Sequence, residues 1–300
     1  GISGMDAYGC PNRLREIYPV YTNRTTSGNF RAPSEPHGFY GIESMMDDIA
    51  YKIGMDPVEF TLSNMRRPTD DQPFTNYSLE EVIETGARQF NWQSRRKLTP
   101  GSDEGPIKRG AGFSFMMFRA GVGTSSAIVR VDSNEKYTLF VGVTDIGPGA
   151  KTTMGMIAAE ALAVPLSQVE VVWGDTDRCP YSVGESGSRT TIQTGLAVVQ
   201  AVEELKSQIA DQGMPNGGDV LIGTATPVPT TDGKTRQCFG AHYVEVEVDT
   251  RIGTTRILKY TAVHESGRII NPTTARDQIR GATLQGIGQA LHEDLLYDSD

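Results

Sequence analysis

Two glycine- and hydroxyl-rich turns are the segments of this 300-residue sequence best suited to hold a ligand. The first is Gly147-Pro148-Gly149 and the second runs from Gly184 to Ser188, and each lies between a β-branched run and an amphipathic helix. Turns of this kind present backbone N–H groups and hydroxyls to phosphate groups. We therefore expect the chain to hold a large polar cofactor.

Neither turn is specific by itself. The first lacks the spacing of a P-loop, and most Gly-x-Gly segments are only turns. The second is the stronger signal because Ser186, Ser188, Thr190 and Thr191 supply many hydrogen-bond donors with little bulk. A solvated turn that starts the helix predicted over 192–211 is an equally weighted alternative.

Two further polar side chains could add to such a site. Arg31 lies in a proline-restricted turn before a helix, where its guanidinium could clamp an anionic or carbonyl group. The alternative for Arg31 is a structural ion pair with Glu35 or Glu43. Gln278 lies in a glycine-containing helix, and its amide could pair with a base-like or pterin-like edge. The alternative for Gln278 is ordinary helix packing.

These segments need a scaffold of alternating helices and strands. Periodicity and capping signals, including a capping box at Ser78, predict helices over 38–53, 57–65, 78–90, 151–163, 192–211 and 274–296. Alternating and β-branched runs predict strands over 110–118, 125–132, 136–144, 169–173, 240–249 and 254–264. A charged segment over 95–105 is typical of a linker. The order of elements predicts an α/β or α+β fold with mixed sheets.

Composition argues against several classes of function. The formal net charge of −9 argues against a nucleic-acid surface, and no apolar run approaches a membrane span. Cys10, Cys179 and Cys238 form neither a CxxC pair nor an iron–sulfur run, and the four histidines lack metal-site spacing. We therefore expect free thiols and a cytoplasmic location, with the periplasm as the alternative. Both ends of the chain are typical of cuts through a longer polypeptide.

Four segments, in this order, resemble the large molybdenum-binding subunit of the xanthine oxidase family. Residues 30–65 resemble its FRG-x-G-x-P turn and the helical motifs that follow. Residues 143–162 resemble E-x-GQG-x-x-T, and residues 174–191 resemble GDT-x-x-x-P followed by GSR-[ST]-T. Residues 265–291 resemble D-x-G-x-x-(I/L)NP and the GQ-x-x-G-x-x-QG-x-G helix. The combined order and spacing are specific and cover nearly the whole chain.

The resemblance implies an α+β fold of mixed sheets with packed helices. Residues 1–98 would end a first molybdenum-binding domain, and residues 99–300 would form an incomplete second one. It also implies a molybdenum ion held by the dithiolene of a molybdopterin, commonly the cytosine dinucleotide form in bacterial members, with no direct protein ligand. The residues that match the family's cofactor-binding positions are Phe30, Arg31, Ile146, Gly147, Gly149, Ser186, Gly187, Ser188, Thr190 and Gln278. The resemblance also implies that Arg31 lies near the substrate, where it could stabilise developing negative charge.

The resemblance further implies a molybdenum hydroxylase that oxidises an aldehyde or an aromatic N-heterocycle with oxygen from water. Electrons would pass to partner chains that carry 2Fe–2S clusters and FAD, alongside the remaining part of the molybdenum subunit. Two residues depart from the family pattern, because Pro148 replaces a frequent Gln and Glu265 replaces Asp. The family's catalytic glutamate lies C-terminal to every segment found here, so we assign no catalytic base. A non-catalytic structural or assembly module of the same fold, which binds no molybdenum, is the alternative.

Overall fold

A computed structural model of the chain describes residues 3–25, 28–69, 73–96, 102–229 and 233–297. The chain divides into two compact units, each built from separate stretches of sequence. Unit 1 comprises residues 1–119, 233–267 and 287–300, and unit 2 comprises residues 120–232 and 268–286. The division of the sequence into family domains at residue 98 remains a prediction.

The helices, in chain order, are α1 (Ser3–Asp6), α2 (Glu35–Lys52), α3 (Pro57–Asn64), α4 (Leu79–Phe90), α5 (Trp92–Arg95), α6 (Ala150–Leu162), α7 (Thr190–Gln212) and α8 (Pro272–Leu291). The strands are β1 (Ile107–Arg119), β2 (Ala127–Asp132), β3 (Tyr137–Val141), β4 (Val169–Trp173), β5 (Val220–Ala225), β6 (Gln237–Asp249) and β7 (Thr254–Glu265). A short 3₁₀ helix, Leu166–Gln168, precedes β4.

Unit 1 is a three-stranded antiparallel sheet in the order β1-β6-β7, with α1, α2, α4 and α5 packed on it and α3 packed against α2 and α4. Alternate residues of β6 face the helices, so Phe239, Ala241 and Tyr243 are buried. Gly86 of α4 lies directly on the Tyr243 ring, because a Cβ at this position would approach Cε2 of the ring to 2.4 Å. The absence of a side chain at residue 86 therefore lets α4 pack closely on the sheet.

Unit 2 is a mixed four-stranded sheet in the order β4-β3-β2-β5, covered by α6 and α7. Its core holds Leu139, Met154, Val198 and Leu205, none of which is accessible to solvent. Strands β3 and β4 are parallel and are connected through α6. Their carboxyl ends therefore lie at the same edge of the sheet, and both α6 and α7 begin after turns that leave this edge.

The predicted α+β class is confirmed, and each predicted helix and strand has a counterpart within a few residues. Strand β5 was not predicted, because Gly223 interrupts its apolar pattern. A Cβ there would lie 2.1 Å from the Ala201 carbonyl oxygen, so glycine permits close packing against α7. The capping box at Ser78 is wrong, since its side chain makes no capping hydrogen bond. Residues 97–101 of the predicted linker lie outside the described residues, and α8 ends at Leu291 rather than 296.

Within the described part of the chain, no helix combines the length and apolar character needed to cross a bilayer.

Candidate functional site

The turn after β3 contains Ile146, Gly147 and Gly149 and leads directly into α6. Its backbone is left-handed at Gly147 (φ 115°) and Gly149 (φ 84°), which favours glycine at both positions. Both glycine N–H groups donate to Oδ1 of Asp145, each at 3.0 Å. Pro148 between them has no N–H group. The sequence pattern predicted an anion-binding turn here; both glycine amides are bonded to a carboxylate of the chain itself, and cofactor binding by this turn remains a prediction.

The turn after β4 presents Ser186, Gly187 and Ser188 to solvent. Gly187 and Ser188 are both left-handed, with φ values of 69° and 56°. A backbone hydrogen bond fixes this turn to a neighbouring loop, because the Gly187 carbonyl accepts from Gly121 N–H at 2.7 Å. Arg189 adds hydrogen bonds from its guanidinium to backbone carbonyls of neighbouring loops. The shape of this turn is therefore fixed by contacts that leave its three exposed residues facing water.

Helix α7 begins at Thr190, immediately after this second turn. It runs for 23 residues, has no acidic residue in its first turn and has no side-chain cap at its start. The first N–H groups of a helix lack partners within the helix and carry a partial positive charge. Together with the nearby hydroxyls, this end of α7 matches the hydrogen-bonding and charge requirements of a phosphate.

Glu185 ties the second turn to the end of β3. Its carboxylate accepts from the Thr144 N–H at 2.9 Å and also from the Thr144 hydroxyl. Thr144 directly precedes Asp145, whose carboxylate closes the first turn. A hydrogen bond from Val183 N–H to the side-chain Oγ of Ser125, at 3.3 Å, anchors the same loop to the segment before β2. The two turns are thus joined through a pair of carboxylates that sequence reasoning missed.

The start of α8 lies against the first turn. A Cβ on Gly149 would lie 3.3 Å from Cγ2 of Thr274, so the Gly149 backbone packs closely against the Thr274 side chain. Asn271 caps this helix, since its side-chain oxygen accepts from Thr273 N–H at 3.2 Å and Thr274 N–H at 3.3 Å. Gln278 follows Thr274 by four residues and therefore lies on the same face of α8. Unit 2 thus brings both turns and the Gln278 helix together.

Phe30 and Arg31 belong to unit 1 and precede α2. Both residues are exposed, and 51% of the Phe30 surface is accessible. Ala32 directly follows Arg31, and Ser34 lies two residues further along the chain. Their φ values are 53° and 69°. Non-glycine residues rarely adopt this conformation, so the turn that carries Arg31 is strained. Unit 2 holds the other eight predicted site residues.

Unit 1 also contains two titratable clusters outside the predicted site. Burial raises the pKa of Glu43 to about 7, although its carboxylate accepts from Tyr8 Oη at 2.7 Å and Phe115 N–H at 3.2 Å. His242 contacts His264 through their Nε2 atoms at 2.8 Å, and Tyr260 Oη lies 2.8 Å from Nδ1 of His242. Burial, followed by the neighbouring His264, lowers the pKa of His242 to about 4.

Among the described residues, no group of three His, Cys, Asp or Glu side chains could hold a metal ion.

Comparison with protein families gives two adjacent matches. Residues 85–216 and 222–300 match a molybdopterin cofactor-binding domain, and residues 2–65 match a second domain of the same description. The family resemblance seen in the sequence is therefore confirmed.

Two curated relatives of similar sequence are molybdenum-binding subunits. The chain is 31% identical to a xanthine dehydrogenase molybdenum-binding subunit of Escherichia coli O157:H7, over 96% of this chain and 46% of the relative. It is 33% identical to the aldehyde oxidoreductase molybdenum-binding subunit PaoC of the same organism, over 89% of this chain and 40% of the relative. The chain thus spans somewhat less than half the length of these relatives.

Solved structures show the same fold. The aldehyde oxidoreductase of Desulfovibrio desulfuricans ATCC 27774 is similar with a TM-score of 0.75 and 28% identity, over 89% of this chain and 32% of that one. The CO dehydrogenase of Oligotropha carboxidovorans has a TM-score of 0.82 at 19% identity, over 93% of this chain and 43% of that one. The second likeness, at its lower identity, concerns the fold alone.

Proposed function

This chain belongs to the family of molybdopterin cofactor-binding domains, and we propose that it holds the pterin cofactor within the molybdenum-binding subunit of a hydroxylating oxidoreductase. The bound cofactor would supply the two-electron oxidation and the transfer of an oxygen atom derived from water. The chain itself would bind and orient the cofactor and shape the approach of the substrate.

One observation carries this proposal. The three segments of unit 2 that match family cofactor motifs meet at one edge of the sheet, although they lie far apart in sequence. The bonds between Glu185 and Thr144 join the two turns, and the contact between Gly149 and Thr274 joins the first turn to α8. Crevices at the carboxyl ends of parallel strands are common ligand sites in α/β sheets. A purely structural role would not require exposed hydroxyls and an uncapped helix start at this edge.

Each part of the site has a proposed task. Ser186, Ser188 and Thr190, with the start of α7, would receive the phosphates of the cofactor. Gln278 would hold the pterin or nucleotide edge through its side-chain amide. For Arg31, which belongs to unit 1, we propose a separate role in stabilising negative charge that develops on a substrate, because a guanidinium is a permanent, directional donor.

The finer assignments rest on family membership. We propose the cytosine dinucleotide form of molybdopterin, and an aldehyde or aromatic N-heterocycle as substrate. The names of the relatives as molybdenum-binding subunits support assembly with other chains. We propose that these chains carry 2Fe–2S clusters and FAD and receive the electrons, and that the remaining part of the molybdenum subunit supplies the proton-transferring group.

The test is metal and pterin analysis of the natively purified complex. We expect molybdenum and a pterin nucleotide in equal amounts with the chain. A complex free of both would overturn the proposal and favour a non-catalytic module. Gln278→Ala should lower pterin retention, whereas Gln289→Ala, an exposed glutamine on the same helix, should leave it unchanged. Full cofactor occupancy in Gln278→Ala would reject the role given to that side chain.

A further inference from the structure

We propose that Asp145 determines which ligand chemistry the Ile146–Gly149 turn accepts. Its carboxylate occupies the amides of this turn, so the turn does not take a phosphate, and the anionic part of the ligand binds at the Gly184–Thr190 turn. The identity of the ligand rests on the proposed function, but the occupation of the amides does not. Asp145 is a positioning and specificity residue and takes no part in the reaction itself.

The geometry places the Asp145 oxygen where a phosphate oxygen would sit. Gly147 N–H and Gly149 N–H both point at Oδ1, at 3.0 Å each. Bonds from amides to a carboxylate are charge-assisted and roughly twice as strong as neutral ones. A phosphate at this turn would have to displace these bonds and would also face a negative charge within a few ångströms. Both effects disfavour an anion at this turn.

The second turn has the opposite character. Glu185 is its acidic residue, and both oxygens of that side chain accept from Thr144 rather than from the turn's own amides. Gly184 N–H donates to the neutral hydroxyl of Ser182 at 3.3 Å. The start of α7 has neither a side-chain cap nor an acidic residue in its first turn. The two glycine turns therefore differ in whether a carboxylate occupies their own amides, although their compositions are similar.

Apart from the Asp145 carboxylate, the first turn presents an apolar surface. Ile146 is 76% exposed, and its side chain is the largest that this turn presents to solvent. Pro148 adds ring surface and no donor. Such a surface suits a flat, uncharged ring rather than a phosphate. The replacement of the family's frequent Gln by Pro148 fits this assignment, because the turn no longer relies on polar donors.

The test uses the 300-residue chain labelled with [15N]glycine and titrated with inorganic pyrophosphate at constant ionic strength. Three proteins are compared: the natural sequence, Asp145→Ala and Asp145→Asn. In Asp145→Ala the freed amides of Gly147 and Gly149 should respond with a Kd at least about tenfold lower than in the natural sequence. Asp145→Asn should fall between the natural sequence and Asp145→Ala, because its side-chain oxygen accepts the same two bonds but carries no negative charge. The Gly187 signal should respond with equal affinity in all three.

Three results would overturn the inference. The Gly147 and Gly149 signals of the natural sequence could respond as strongly as Gly187, which would mean that the amides are open. Asp145→Ala could show no gain. Asp145→Asn could gain as much as Asp145→Ala, which would assign the effect to charge alone. If Asp145→Ala loses its dispersed glycine signals, Asp145→Ser replaces it, and the same gain is required of that variant.

The titration also separates this inference from the proposed function. A gain in Asp145→Ala without any response at Gly187 would support the role of Asp145 and count against the phosphate site at the second turn. The molybdenum content of the native complex is measured independently and does not enter the titration.

Discussion

Asp56 is a buried polar residue whose removal should strongly destabilise unit 1. It is 3% exposed and joins three elements. Its Oδ1 caps α3 by accepting from Val58 N–H at 2.9 Å and Glu59 N–H at 3.1 Å. Its Oδ2 accepts from Trp92 Nε1 at 2.9 Å and forms an ion pair with Arg96. Asp56→Ala removes all of these bonds in one step.

The expected loss follows from these partners. A missing N-cap costs about 1 kcal/mol. The Trp92 side chain is 2% exposed, so its N–H would be left unpaired in the core at a cost of about 2 kcal/mol. The Arg96 side chain keeps 21% of its surface exposed, so water compensates part of the lost ion pair and about 1 kcal/mol remains. We expect the free energy of unfolding of unit 1 to fall by about 4 kcal/mol.

Urea denaturation followed by tryptophan fluorescence measures this loss. The chain has two tryptophans, so a Trp173→Phe background makes Trp92 the reporter of unit 1 alone. Asp56→Asn should recover about 1 kcal/mol, because its side-chain oxygen can still cap α3. Asp48→Ala, an exposed acidic residue of α2, is the matched control and should change stability by less than about 0.5 kcal/mol.

A loss below about 1 kcal/mol in Asp56→Ala would refute the reasoning, because it would mean that Trp92 and Arg96 find other partners. Equal stability of the Ala and Asn variants would refute the capping contribution in particular.

Three further predictions concern other parts of the chain. Burial lowers the pKa of both His242 and His264, so the unfolded chain binds more protons below pH 6.5. The free energy of unfolding of the natural sequence, relative to that of a His242→Gln/His264→Gln variant, should therefore fall from pH 6.5 towards pH 4. The fall is at most about 1.4 kcal/mol per pH unit for each histidine. A difference in urea titrations that does not change with pH would contradict this. Gly86→Ala should destabilise unit 1 by about 2 kcal/mol, since the new methyl group would overlap the buried Tyr243 ring, and unchanged urea unfolding would show that α4 can shift. Arg31→Ala should reduce turnover of the complex more than its molybdenum content, and a parallel fall in both would make Arg31 a structural or cofactor residue.

Much of the scaffold could be predicted because its elements carry local signals. The Asp56-Pro57 start of α3 is one example, since an acidic cap followed by proline needs no information from distant residues. Strand β5 could not be predicted in this way. Glycine at position 223 is required by the close approach of α7 and is not favoured by strand propensity. The hydroxyl of Ser78 failed to cap for a related reason. It is buried without a hydrogen-bond partner among the described residues, so tertiary packing overrode the local signal.

The hydrogen bonds of the site could not be predicted from glycine spacing either. Glycine spacing correctly indicated two turns, but it carried no information on whether their amides were free. The residue two positions before Gly147 holds that information, because an Asp side chain commonly accepts from the backbone N–H two residues later. The Glu185 side chain makes no such contact with an amide two residues later, and it reaches Thr144 instead. The position of a carboxylate relative to the first glycine therefore decides whether a glycine turn closes on itself or remains open to an anion.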